Sequence, residues 1–225
     1  NDNTGNFQSP SLNNLLNTAY SAGARTHTNS WGSSAASQQA KYNSETEDVD
    51  DRANYYDRYY NGVQGLTILF AAGNDGPGTG TVSAPATAKN VISVGNHKNR
   101  YSNAPDVMMS GSSRGPTEDG RIKPDLVAPG GYVRSCKAQE ATDTGSATWS
   151  STYYLEYTGT SMATPNAAGA AVMVREYLEE IAQRPSPQGA LVKALLVLGA
   201  QDMGARDIPN DNEGWGRVNL RNSLA

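Results

Sequence analysis

The 225-residue chain has one cysteine, Cys136, two phenylalanines and two histidines, His27 and His97. A single cysteine cannot close an internal disulfide, so the fold must stand on its core. No apolar run approaches the ~20 residues of a membrane-spanning helix. The opening "NDNTGNFQSP" is polar, has no leader pattern and no initiator Met, and reads as the middle of a longer chain. Eighteen basic residues stand against 22 acidic ones, for a net charge of −4 and no basic stripe, which argues against a nucleic-acid partner. The scarcity of histidine matters most. It is the commonest side chain for general-base work near neutral pH, and only two positions here could supply it.

What is present suffices for one sizeable domain with a real core. "SPSLNNLLNTAYSAGA" opens with Ser9 or Ser11 as a cap, places Leu12, Leu15, Leu16 and Ala19 at helical spacing, and stops at Gly23. "ARTHTNSWGS" reads as a short strand ending at Gly32. "GLTILFAAGN" and "NVISVGN" are continuous apolar runs, the pattern of strands buried on both faces. "IKPDLVAPGG" is a shorter extended piece. Helices are predicted over 161–183 and 187–199, the second with Leu191, Leu195 and Leu198 on one face. Strands alternating with helices imply an α/β fold, a mostly parallel sheet with helices on both sides. Residues 33–62 are polar and acidic and read as a surface insertion carrying one helix. Residues 135–156, rich in Ser and Thr, read as a long surface loop. No domain linker or internal repeat is visible.

"YTGTSMATPNAAGAAVM", residues 157–173, delivers Ser161 through a glycine turn onto the start of a small-residue helix. Unpaired N–H groups at a helix start favour negative charge. Pro165 costs little near the first turn, and Ala163, Ala167, Ala170 and Ala171 allow close packing. On these features alone, a serine that merely caps a core helix is the preferred reading. Asn74, at the end of the "GLTILFAAGN" strand behind Gly73, likewise reads alone as a turn residue.

The string "GTSMATP" at 159–165 resembles the nucleophile motif of the subtilases, the subtilisin-like serine peptidases. Other blocks follow that family's order: "NSWG" at 29–32, "ILFAAGNDGP" at 68–77, "SAPATAKNVISVG" at 83–95, "SSRGPTEDGRIKPDLVAPG" at 112–130 and "GWGRVNL" at 214–220. The resemblance looks closest to the alkaline, oxidation-tolerant bacterial branch. It implies a three-layer subtilisin-like fold whose first strands lie upstream, so that residues 1–225 are part of a peptidase domain. It implies a serine endopeptidase acting through an acyl-enzyme at Ser161, with Asn74 and the Ser161 N–H as oxyanion donors. It implies a polypeptide substrate paired beside Ser30, Trp31 and Gly32. Ala71, Ala72 and Gly73 would wall the pocket for the residue before the scissile bond, with Gly159 and Thr160 at the nucleophile turn. Small walls suggest a large apolar or aromatic side chain there. It further implies an extracytoplasmic enzyme with a propeptide and a C-terminal β-sandwich.

A serine alcohol needs an adjacent base, itself oriented by a third group. The family's "Asp-Ser/Thr-Gly" and "His-Gly-Thr-His" turns both precede the oxyanion asparagine, and neither stands before Asn74 in this chain. His27 reads as a sheet residue and His97 as a solvated turn residue. Asp143 in "TDTGS" lies in the wrong order and lacks a preceding apolar strand, so it reads as loop. Catalytic Asp and His are therefore expected upstream, and this chain alone is expected to be inactive. The alternative is a non-catalytic domain that only binds peptide in the same groove.

The chemistry requires no cofactor. The family often pins surface loops with calcium, and "SETEDVDD" at 44–51 offers Glu45, Asp48 and Asp51 as ligands, although a solvated acidic helix start is the preferred reading. "NDNE" at 210–213 is weaker. Met162 adjoins the nucleophile, where sulfoxide formation would add a polar oxygen. Cys136 reads as structural.

Overall fold

A computed structural model describes residues 11–58, 65–99, 104–138, 147–204 and 207–225. The apolar runs form the centre, as expected of strands covered on both faces. β1 (Thr26–Asn29), β2 (Thr67–Ala71), β3 (Ile92–Lys98) and β4 (Leu126–Gly131) make a parallel sheet in the order β1-β2-β3-β4. Residues 216–218 continue the pattern beside β4, where Val127 donates to Gly216 O and accepts from Val218 N, both at 3.0 Å.

Alternation along the strands divides the core in two. Leu69, Ile92, Val94, Leu126 and Ala128 face α3 (Thr160–Glu176) and α4 (Gly189–Leu198). Ile68, Phe70 and Val91 face α1 (Leu12–Ser21) and α2 (Ser44–Arg58). The layers are thus helix, sheet, helix, with the short α5 (Leu220–Ser223) beside α4. Ser11 caps α1, its Oγ accepting from Asn14 N at 3.4 Å; Ser9 lies outside the described residues. The contact face of α3 is rich in alanine, with Ala163, Ala167, Ala170 and Ala171 buried against the strands. One π turn, Tyr177–Ile181, extends it.

Four expectations change. The one helix expected within 33–62 is α2, and it is not wholly on the surface: Val49, Ala53 and Tyr56, at helical spacing, are buried in one cluster with Leu16, Tyr20 and Phe70. Polar composition hid a one-sided apolar stripe. Within it, Asp50 is buried and accepts from Lys89 N (2.9 Å), Asn90 N (2.7 Å) and Tyr42 OH (3.0 Å), so this part of the acidic run is structural. Asp57 takes the N–H groups of Gly189 and Ala190 at 3.0 and 3.1 Å, capping α4 from another element. The face of α4 is also different: Val192 and Leu196 are buried, Leu195 packs beside them, and Leu198 is 81 % exposed. In "GALVKALLVL" almost every position is apolar, so periodicity could not select the face.

The 135–156 loop is partly a small antiparallel sheet of β5 (Val133–Cys136), β6 (Trp149–Ser150) and β7 (Tyr154–Tyr157), with β7 in the middle. Arg134 opposes Glu156 across it (3.2 Å) and stacks over Trp149. Asp143 lies outside the described residues. Finally, His97 is no surface residue. β3 runs two residues past "VISVGN", Met108 bridges onto it, and His97 is 3 % exposed.

Candidate active site

Ser161 stands in the first turn of α3, above the ends of β1 and β2. The turn before it is pinned from below, with Gly159 N donating to Gly130 O of β4 at 2.9 Å. Gly130 must be glycine, since a Cβ there would fall 2.6 Å from Gly159 O and 2.5 Å from Asn96 Cβ. Ser161 and Ser30 exchange hydrogen bonds. Ser161 Oγ donates to Ser30 O at 3.1 Å, and Ser30 Oγ donates to Ser161 O at 2.8 Å. The second bond follows from Pro165. Proline has no N–H for the carbonyl four residues back, which is that of Ser161, and the Ser30 hydroxyl takes its place.

Asn74 reaches the same turn from the end of β2. Gly73 has φ +110°, a conformation that suits glycine, and a Cβ there would lie 2.8 Å from Ser83 Oγ and Ser113 Oγ. Thr160 then locks the amide: its N–H donates to Asn74 Oδ1 at 2.9 Å and its hydroxyl to the same atom at 3.1 Å. With the oxygen engaged, Nδ2 is the end left to donate. It lies against Gly159, beside the Ser161 N–H, which at the helix start has no carbonyl within α3 to pair with. Asn74 Nδ2 and the Ser161 N thus both lie within 4 Å of the point where a Cβ on Gly159 would stand.

The residues expected to pair with substrate follow β1 but are not themselves strand. β1 ends at Asn29, and Ser30, Trp31 and Gly32 continue from it, Trp31 resting edge-on against Phe70 and the next residue, Ser33, donating to Ala84 O. Ala71 and Ala72 are buried in the core, so of the three expected wall residues only Gly73 is partly open.

Neither histidine can serve Ser161. His27 pairs with Ile68, which faces the α1/α2 layer, whereas α3 covers the other face. His97 lies at the end of β3, where the register with β4 shifts, and lines a cleft with Asn166 of α3, with no hydrogen bond to Ser161. Burial holds both imidazoles below their usual pKa, and Arg217 adds to the effect at His97, whose Nδ1 meets Lys98 O at 2.7 Å. No acid or histidine among the described residues is hydrogen-bonded to Ser161. Glu45, Asp48 and Asp51 stand exposed on α2, and among the described residues no three His, Cys, Asp or Glu side chains are grouped to hold a metal ion, so these residues do not fit a calcium site. Cys136 is exposed on β5.

Sequence reasoning missed a buried charge cluster on the sheet. Lys123 Nζ meets Asp125 Oδ2 at 2.7 Å, and Lys193 Nζ meets Oδ1 at 2.9 Å. Asp125 also accepts from Ser93 N at 2.7 Å. Only the charged residues of "KPD" signalled it.

Comparison with known proteins gives the family and the fold. Serine protease AprX of Bacillus subtilis is 36 % identical over 170 residues, covering 71 % of this chain and 35 % of AprX. Subtilisin-like protease SBT6.1 of Arabidopsis thaliana is 34 % identical over 165 residues, covering 70 % of this chain and 14 % of that protein. The chain therefore spans well under two thirds of these relatives. The fold is that of the prenylagaramide maturation protease PagA, with a TM-score of 0.69 at 17 % identity over 97 % of this chain and 68 % of PagA. No helix among the described residues is long and apolar enough to cross a membrane. The profile of the Subtilase family matches residues 2–216, and the chain belongs to that family.

Proposed function

We propose that this chain is the nucleophile-bearing part of a subtilisin-like serine endopeptidase domain. Ser161 Oγ attacks the scissile carbonyl carbon, its proton passing to a histidine base. Asn74 Nδ2 and the Ser161 N–H take the charge that forms on the carbonyl oxygen. The base returns the proton to the leaving amine, and water then releases the acyl group from Ser161 by the same path. The observation that carries this reading is the double hold of Thr160 on Asn74 Oδ1, which leaves the amide nitrogen as the end free to donate. The Ser161–Ser30 bond is exchanged for the bond to the base when the site is complete.

The base and its aspartate come from polypeptide outside these residues. Neither histidine of this chain is hydrogen-bonded to Ser161: His27 faces the α1/α2 layer, and His97 Nδ1 meets Lys98 O. β1 is the outer strand of the described sheet, and its free edge is where further strands would add. The acyl half of the substrate pairs along Ser30–Gly32, with Gly73 at the mouth of the adjoining pocket. The placement in the alkaline, oxidation-tolerant branch, the propeptide, the C-terminal β-sandwich and an extracytoplasmic location rest on the quoted sequence blocks alone.

The test is hydrolysis of a casein-derived peptide by the polypeptide that includes the upstream region. Cleavage that disappears in Ser161→Ala supports the proposal. Peptide binding with no cleavage would replace it with a groove that only binds.

A further inference from the structure

Ser161 meets Ser30 beyond β1, at one edge of the sheet. Asn166, five residues further along α3, meets β4 at the opposite edge, its Nδ2 donating to Pro129 O at 2.8 Å and to Met162 O at 3.2 Å. Past Asn166 lies an open cleft of about 1150 Å³, between the tips of β3 and β4 and the β5–β7 sheet. The same stretches build the cleft and hold the nucleophile turn: Gly130 anchors Gly159, and Tyr132 N donates to Thr158 Oγ1 at 2.8 Å.

The lining has two characters. Tyr132 and Tyr154 present half-exposed rings, with Pro105 and Pro129 beside them. At the other end stands Arg217. Its Nε lies 2.9 Å from Asp106 Oδ1, and its two Nη groups carry no hydrogen bond among the described residues. Arg134 meets Glu156 through one Nη, so each guanidinium has one nitrogen on a carboxylate and further donors facing the cleft.

We infer that this cleft binds the part of a polypeptide substrate that follows the scissile bond, and that it favours an aromatic side chain next to an acidic one. This rests on the peptidase reading above. The acyl half lies on the Ser30 side, so the chain beyond Ser161 runs toward Asn166. Five helical residues rise about 7.5 Å, a span of two to three extended residues. The third residue after the scissile bond and those following it therefore enter the cleft. Rings stack on Tyr132 and Tyr154, and a carboxylate pairs with the free side of the Arg217 guanidinium, which suits planar anions.

The experiment measures binding of fluorescent decapeptides to the Ser161→Ala form of the polypeptide that includes the upstream region. Two peptides differ only at the third to sixth residues after the scissile bond, one Tyr-Asp-rich and one Gly-Lys-rich. The expected result is at least tenfold tighter binding of the first. That preference falls below threefold in both Arg217→Gln and Tyr154→Ala; the second replaces an exposed ring and spares the fold. Equal binding of the two peptides, or a preference that survives both substitutions, overturns the inference. The readout is independent of turnover. Discrimination without cleavage by the parent enzyme would sink the peptidase reading alone, and cleavage without discrimination would sink the cleft alone.

Discussion

Lys123 makes a sharp test of how the sheet core handles charge. Its ammonium is fully buried, and burial pulls its pKa from 10.5 down to about 8 against the opposing pull of Asp125. The folded state releases the proton near pH 8, whereas the unfolded chain keeps it until near pH 10.5. Between these values the unfolded state binds more protons, so stability rises with pH. At about 1.4 kcal/mol per unit the gain approaches about 3 kcal/mol across the window. Tyr42 works the other way. Burial and the Asp50 carboxylate raise its phenol to about 12, so its contribution falls as pH rises from 10 toward 12. The two contributions therefore oppose one another above pH 10. The assay is urea denaturation at half-unit pH steps from 7 to 11.5, on the parent polypeptide and on Lys123→Met. The rise between pH 8 and 10 should vanish in the variant, whatever its absolute stability. An equal rise in both proteins would refute the assignment to Lys123.

Two further outcomes follow from the geometry. Asn74→Leu should lower kcat of the parent enzyme by about 100- to 1000-fold with KM little changed; that magnitude is taken from subtilisin, the family's own worked case, and not worked out from this chain. A change confined to KM would count against the oxyanion role. Asp50→Ala leaves two backbone N–H groups and the Tyr42 hydroxyl without their acceptor and should cost about 3 kcal/mol in denaturation. A loss under 1 kcal/mol would return that stretch of α2 to the solvated surface.

The strands were legible in the sequence because burial on both faces leaves few polar positions, and "TILFA" and "ISVG" can be little else. Ser161 and Asn74 were legible as chemistry only through the order of the surrounding blocks; alone each reads as a cap or a turn. What the sequence hid was mostly partnership over long separations. Nothing near Asp57 signals that it caps a helix more than 130 residues away. Nothing near Ser30 signals that its hydroxyl replaces the donor lost at Pro165. His97 misled because "NHKNR" looks like a turn, while the segment around Met108 folds over it. In α4 uniform apolarity erased the period that would have named the buried face.

The central claim is that Ser161 belongs to a triad completed from outside this chain. Fluorophosphonate labelling, read by intact mass and peptide mapping, tests it most directly. The account predicts label on Ser161 in the polypeptide that includes the upstream region, and none on the 225-residue chain by itself. Label on Ser161 in the isolated chain would contradict the external base, and absence of label from both would contradict the activated serine.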